Sequence, residues 1–144
     1  MRANRKLMSC LAMLLGTALV PCWAADPAPG AALTMPRQLS IRVQGDGETV
    51  AFAADELRRL LVASHAAEAV QVVKAGEPAL VQLSLDAELA AEEIAYQISS
   101  AGMVIRGGDP RGLLYAVWEF CERELGVHWL TPDNTHVPDH GFRL

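Results

Sequence analysis

Between residues 38 and 130 the chain alternates between two hydrophobic periods. Leu39, Ile41 and Val43 alternate with Ser40, Arg42 and Gln44, the period of a half-buried strand. Gly45-Asp46-Gly47 stops that strand, and Thr49 can cap the next segment. There Val50, Ala53, Ala54, Leu57, Leu60 and Leu61 fall on one face of a helix, with Asp55, Glu56, Arg58 and Arg59 on the other. Asp55 and Arg59 stand at i,i+4, a spacing worth about a few tenths of a kcal/mol on a helix surface.

Val70 to Val73 is a short strand, and Gly76-Glu77-Pro78 a turn. Val81, Leu83 and Leu85 alternate with Gln82 and Ser84 as a further strand. Glu88 to Glu93 is acidic and alanine-rich and fits one helical turn. Ile94, Tyr96 and Ile98 alternate with Ala95, Gln97 and Ser99, and Met103 to Arg106 returns after Ser100-Ala101-Gly102. A short loop ending in glycine suits a hairpin with a bulge.

The clearest element comes next. Asp109 is a good N-cap, Pro110 takes the first helical position and Gly126 supplies the stop. Leu114, Val117, Trp118, Cys121 and Leu125 form an apolar stripe, with Glu119, Glu122 and Glu124 toward water. Val127 to Leu130 is a last strand, and Pro132 and Pro138 mark an extended exit. The expected order is β-α-β-β-β-β-α-β. Parallel neighbours ordinarily need long crossovers, so the expected fold class is α+β: a mixed, mainly antiparallel sheet with two helices packed on one face.

The ends change the picture. Arg2, Arg5 and Lys6 precede an apolar run from Leu7 to Val20, and Cys22-Trp23-Ala24 offers small residues for a signal peptidase. Residues 1–24 are therefore expected to be a signal peptide cleaved after Ala24, with lipidation at Cys22 as the rival reading. The run is too short to span a bilayer. Residues 25–37, with three prolines, read as a linker. Loss of the three leader basic residues takes the net charge from −5 to −8, which disfavours nucleic acid and anionic membrane surfaces as partners. Of Cys10, Cys22 and Cys121 only Cys121 lies outside the leader, so the 120 residues left must hold together without an internal disulfide.

Four patterns invite chemistry. Gly107-Gly108-Asp109-Pro110-Arg111-Gly112 sits where a phosphate loop could, but it lacks the P-loop lysine and hydroxyl, and Asp109 repels an anion. It reads as a tight turn and a cap. His136 and His140, near Asp133 and Asp139, have metal-ligand spacing, yet Pro138 between them disfavours the helix that spacing needs. Neither metal nor cofactor is expected. Asp55-Glu56, Glu92-Glu93 and Glu119-Glu122 are carboxylate pairs on solvent faces, where acidic residues serve solubility, whereas glycosidic chemistry needs two carboxyls across a cleft. Cys121 lies on the apolar stripe among glutamates and reads as a structural thiol. Tyr115, Trp118, Phe120 and Trp129 cluster in sequence. Trp118 fits the core stripe, while Tyr115 and Phe120 widen the apolar girth and imply a second packing partner.

Met103-Val-Ile-Arg-Gly-Gly-Asp-Pro-Arg-Gly-Leu-Leu-Tyr-Ala-Val-Trp-Glu-Phe120, with Glu124-Leu-Gly-Val-His-Trp-Leu-Thr-Pro-Asp133 and Val137-Pro138, resembles an N-terminal accessory domain of glycoside hydrolases. It is similar to that of α-glucuronidases and, more loosely, to that of bacterial β-N-acetylhexosaminidases. Ala53-Ala-Asp-Glu-Leu-Arg-Arg-Leu-Leu61 resembles that domain's first helix. The resemblance covers residues 39–138 and is most specific at Gly112-Leu-Leu-Tyr115-Ala and Gly126-Val-His-Trp129. It implies a module over residues 38–138 that packs on a catalytic (β/α)8 barrel, in the same parent chain or a separate one, with the sugar-cleaving acids in the barrel. No catalytic residue carries over. Residues 139–144 would then begin a downstream region. The expected interface residues are Tyr115, Phe120, His128, Trp129 and Asp133, although His128 stands where arginine is more often expected. A stand-alone module that binds polysaccharide, or one that binds a partner protein, is the alternative.

Overall fold

The computed structural model describes residues 36–131 and 134–139. The expected leader (1–24), most of the linker, Asp133, His140 and the final residues lie outside that range. The elements run β1 (Gln38–Gln44), α1 (Glu48–Ala63), β2 (Ala69–Val73), β3 (Val81–Leu85), β4 (Ile94–Ser99), β5 (Gly102–Gly107), α2 (Pro110–Leu125), β6 (His128–Thr131) and β7 (Asn134–His136). The first five strands form one sheet in the order β2-β1-β3-β5-β4, and β6 and β7 form a separate hairpin.

The sheet is mixed as expected, but mostly parallel and not mainly antiparallel. β1 pairs in parallel with β2 and β3, β3 pairs in parallel with β5, and only β4 with β5 is antiparallel. Two devices replace the long crossovers on which the antiparallel expectation rested. β2 lies beside Gln38 to Arg42 of β1, whereas β3 begins beside Ile41 and runs on to Gln44. Because β3 starts about where β2 ends, the short segment 74–80 can cross β1 without doubling back, and Arg42 donates to the Glu77 carbonyl on that crossing. Between β3 and β5 it is β4 that makes the return journey. It runs antiparallel outside β5, and the hairpin then inserts β5 between β3 and β4.

Both helices lie on one face, in contact with each other and with the sheet. They enclose one core, in which Leu39, Ile41, Leu57, Leu61, Leu83, Ile105, Leu113 and Phe120 are fully or almost fully buried. The opposite face is polar and tied together laterally. Gln71 donates to Ser40, Gln82 to Gln44, and Arg42 to Gln82. Helix α1 starts at Glu48 behind Gly47 and has no side-chain cap, so Thr49 lies inside the helix. Its ion pairs are Asp55 with Arg58 and Glu56 with Arg59, both at i,i+3, in place of the expected Asp55–Arg59 pair. Residues 88–93 form turns without a helical turn, with Glu92 at φ 61°.

Candidate functional site

An exposed cluster of aromatic side chains lies on the outer side of α2, and the start of that helix is tightly built. Asp109 accepts from the Gly112 amide at 2.6 Å, and Pro110 comes directly after it. Gly108 lies so close to the 86–93 segment that a Cβ there would stand 1.9 Å from the Ala90 carbonyl oxygen. The glycine-rich turn therefore serves close packing and capping, as its sequence suggests. Gly126, at φ 67°, ends the helix in the left-handed region.

Helix α2 is phased differently from the expected stripe. Leu113, Ala116, Val117, Phe120, Cys121 and Leu125 face the core. Phe120, expected at an interface, is fully buried and meets the Tyr96 ring edge-on at 5.8 Å. Trp118, expected in the core, is only partly buried and lies beside the surface groove. Cys121 is fully buried, and that burial pushes its thiol well above the ordinary range, as a structural thiol requires.

Tyr115, Trp118 and Trp129 form a continuous aromatic strip. Ring centroids are 5.9 Å apart between Tyr115 and Trp118, and 6.2 Å between Trp118 and Trp129. Trp129 reaches the strip because Gly126 turns the chain back and β6 pairs with β7, with an irregularity between Trp129 and Thr131. Together with Glu119 and Glu122 these rings line an open groove of about 410 Å³. Tyr115 is 37% and Trp129 36% exposed, and the neighbouring Leu130 is 63% exposed. The Trp118 indole Nε1 is buried with no hydrogen-bond partner among the described residues. Glu119 is ion-paired with Arg123.

The other candidates separate. His128 stacks on His136 across the hairpin, with ring planes 4° apart and centroids at 6.4 Å. His136 is on a strand, His140 lies outside the described residues, and no cluster of metal-binding side chains occurs among the described residues. Asp133 also lies outside that range. The carboxylates singled out in the sequence have local roles: Glu92 pairs with Arg111, and Glu93 accepts from the Ala90 amide. Sequence reasoning missed the groove itself. The adjacency of Trp129 and Trp118 depends on the hairpin fold-back, and Gly126 is its only local signal.

No family model and no curated protein matches the chain. Solved structures do match its fold. A mutant Streptomyces plicatus β-hexosaminidase in complex with its product GlcNAc is 22% identical, with a TM-score of 0.53, over 64% of this chain and 18% of that one. The same enzyme in complex with a thio-sugar compound aligns equally well. A β-N-acetylhexosaminidase from Bacteroides fragilis is 13% identical, with a TM-score of 0.51, over 76% of this chain and 19% of that one. The chain thus shares its fold with a small portion, under one fifth, of these bacterial glycoside hydrolases. No helix among the described residues is long and apolar enough to cross a membrane.

Proposed function

We propose that the chain is a non-catalytic N-terminal accessory domain of an exported carbohydrate-degrading O-glycosyl hydrolase, hexosaminidase-like or α-glucuronidase-like, that packs on a (β/α)8 catalytic barrel. The observation that carries this reading is the fold match to under one fifth of the hexosaminidase chains, which leaves most of each enzyme outside the shared part. The aromatic strip supplies a surface for such a partner. Tyr115, Trp129 and Leu130 expose apolar area next to acidic side chains, and aromatics are enriched at protein interfaces. The leader-like residues 1–24 support export.

Hydrolysis of aryl glycosides by the purified chain tests the non-catalytic role. No turnover above the buffer rate is expected. Turnover that disappears in Glu119→Gln or Glu122→Gln would overturn the reading, because those carboxylates would then act as the acids.

A second reading has its own observation in its favour. Three aromatic rings and two carboxylates around one groove are the components of a saccharide-binding surface, where rings stack on sugar faces and carboxylates accept from hydroxyls. Titration calorimetry with chitin and xylan oligosaccharides separates the two. Heat that is lost in Trp129→Ala favours a carbohydrate-binding module, and no heat across the panel favours the accessory role.

A further inference from the structure

We propose that the free edge of β2 is a pairing edge for a second copy of this chain, with the two β2 strands antiparallel about a two-fold axis at Gln71. β2 pairs with β1 on one side only, and it is the outermost strand of the sheet. Natural edge strands are usually blunted by charge, proline or a bulge. Ala69-Val-Gln-Val-Val73 carries no charge and no proline, and its register with β1 is continuous. Val72 is 45% exposed although it shares the helix side of the sheet with the buried Ile41.

The strand is self-complementary in one register. Antiparallel pairing centred on Gln71 sets Val70 against Val72 of the other copy, and Ala69 against Val73. One step outward it sets Glu68 against Lys74 at both ends. Strand alternation puts Val70 and Val72 on the same side, and Glu68 and Lys74 come directly before and after the strand, so the charges flank an apolar centre and meet their opposites. A two-fold axis repeats every such contact. A one-residue slip would set Val70 against Gln71, and a two-residue slip would set Glu68 or Lys74 against a valine or an alanine. Glu68 and Lys74 are both exposed. Glu68 pairs with Arg37 at 3.1 Å and keeps acceptor capacity, and Lys74 has no ion pair among the described residues. The opposite edge, β4, has no such match: Glu92 and Glu93 precede it, and Ser100 and Ala101 come after it.

Sedimentation equilibrium of the full chain over rising concentration tests the proposal. A reversible monomer–dimer equilibrium is expected, weak because a five-residue edge is a small interface. Val72→Lys is expected to leave a monomer with unchanged circular dichroism. Lys74→Glu, at an exposed position, should weaken association roughly 2- to 30-fold by replacing two attractive cross-strand pairs with repulsive ones. Glu68→Lys combined with Lys74→Glu should restore it. A chain that stays monomeric throughout would overturn the proposal. So would a dimer that ignores Lys74→Glu but dissociates in Trp129→Ser, because the aromatic strip would then be the interface.

Discussion

Phe120→Ala is the sharpest test of how α2 is phased. The Phe120 side chain is fully buried and packs edge-to-face with the Tyr96 ring, with centroids 5.8 Å apart. Truncation removes the transfer free energy of the ring and leaves a cavity, together about 3–5 kcal/mol for a buried phenylalanine. The lost edge-to-face contact, worth about 0.5–1.5 kcal/mol, puts the change at the upper end of that span. A domain of this size has roughly 5–15 kcal/mol in all, so the variant should still fold, but only marginally. With a urea slope of about 1.5 kcal/mol/M, the unfolding midpoint should fall by roughly 2–3 M. Equilibrium urea unfolding monitored by tryptophan fluorescence, with Tyr115→Ala alongside, reads both phases of the helix. Tyr115 is 37% exposed, so its truncation should cost less than about 1 kcal/mol. A Phe120→Ala loss below about 1 kcal/mol, or a larger loss at Tyr115, would refute the assignment of Phe120 to the core and Tyr115 to the surface.

Local geometry dictates three further outcomes. Gly108→Ala forces a Cβ toward the Ala90 carbonyl oxygen, and thermal denaturation should show a loss above about 2 kcal/mol, of the size seen when packing is forced apart. Asp109→Ala removes the bond to the Gly112 amide and should cost about 1 kcal/mol by the same assay, with Asp109→Asn or Asp109→Ser largely conserving stability. Burial, and then donation to Glu124 at 3.0 Å, raise the Tyr96 phenol above its ordinary value near 10. The unfolded chain therefore releases this proton first, so the contribution is complete below about pH 10 and declines as pH rises through the folded value. The buried Cys121 thiol, also raised, adds its own alkaline decline to both proteins, so urea midpoints in Tyr96→Phe should fall less steeply above about pH 10 than in the parent, and an identical decline in both would contradict the assignment.

Local periods made most of the elements legible. The alternation at Leu39–Val43, the apolar face from Val50 to Leu61 and the Asp109-Pro110 to Gly126 frame each matched a strand or helix, because each records one buried face. Strand order was not legible. It depends on the stagger of β2 and β3 along β1, which no single segment encodes, and on β4 substituting for a crossover helix. The phase of α2 was ambiguous because Leu114, Tyr115 and Trp118 are as apolar as Leu113, Ala116 and Phe120, so composition could not choose the inner line. β7 is polar, Asn134-Thr135-His136, and forms only because β6 offers a partner. Of the expected interface residues, Tyr115 and Trp129 meet at the groove, His128 stacks on His136 in the hairpin, and Phe120 is internal.

The accessory-domain reading is tested most directly by the genomic sequence downstream of the codon for Leu144. The account predicts a coding sequence for a glycoside hydrolase barrel there, continuous with this chain or in the adjoining gene. A locus that encodes no such barrel would contradict it.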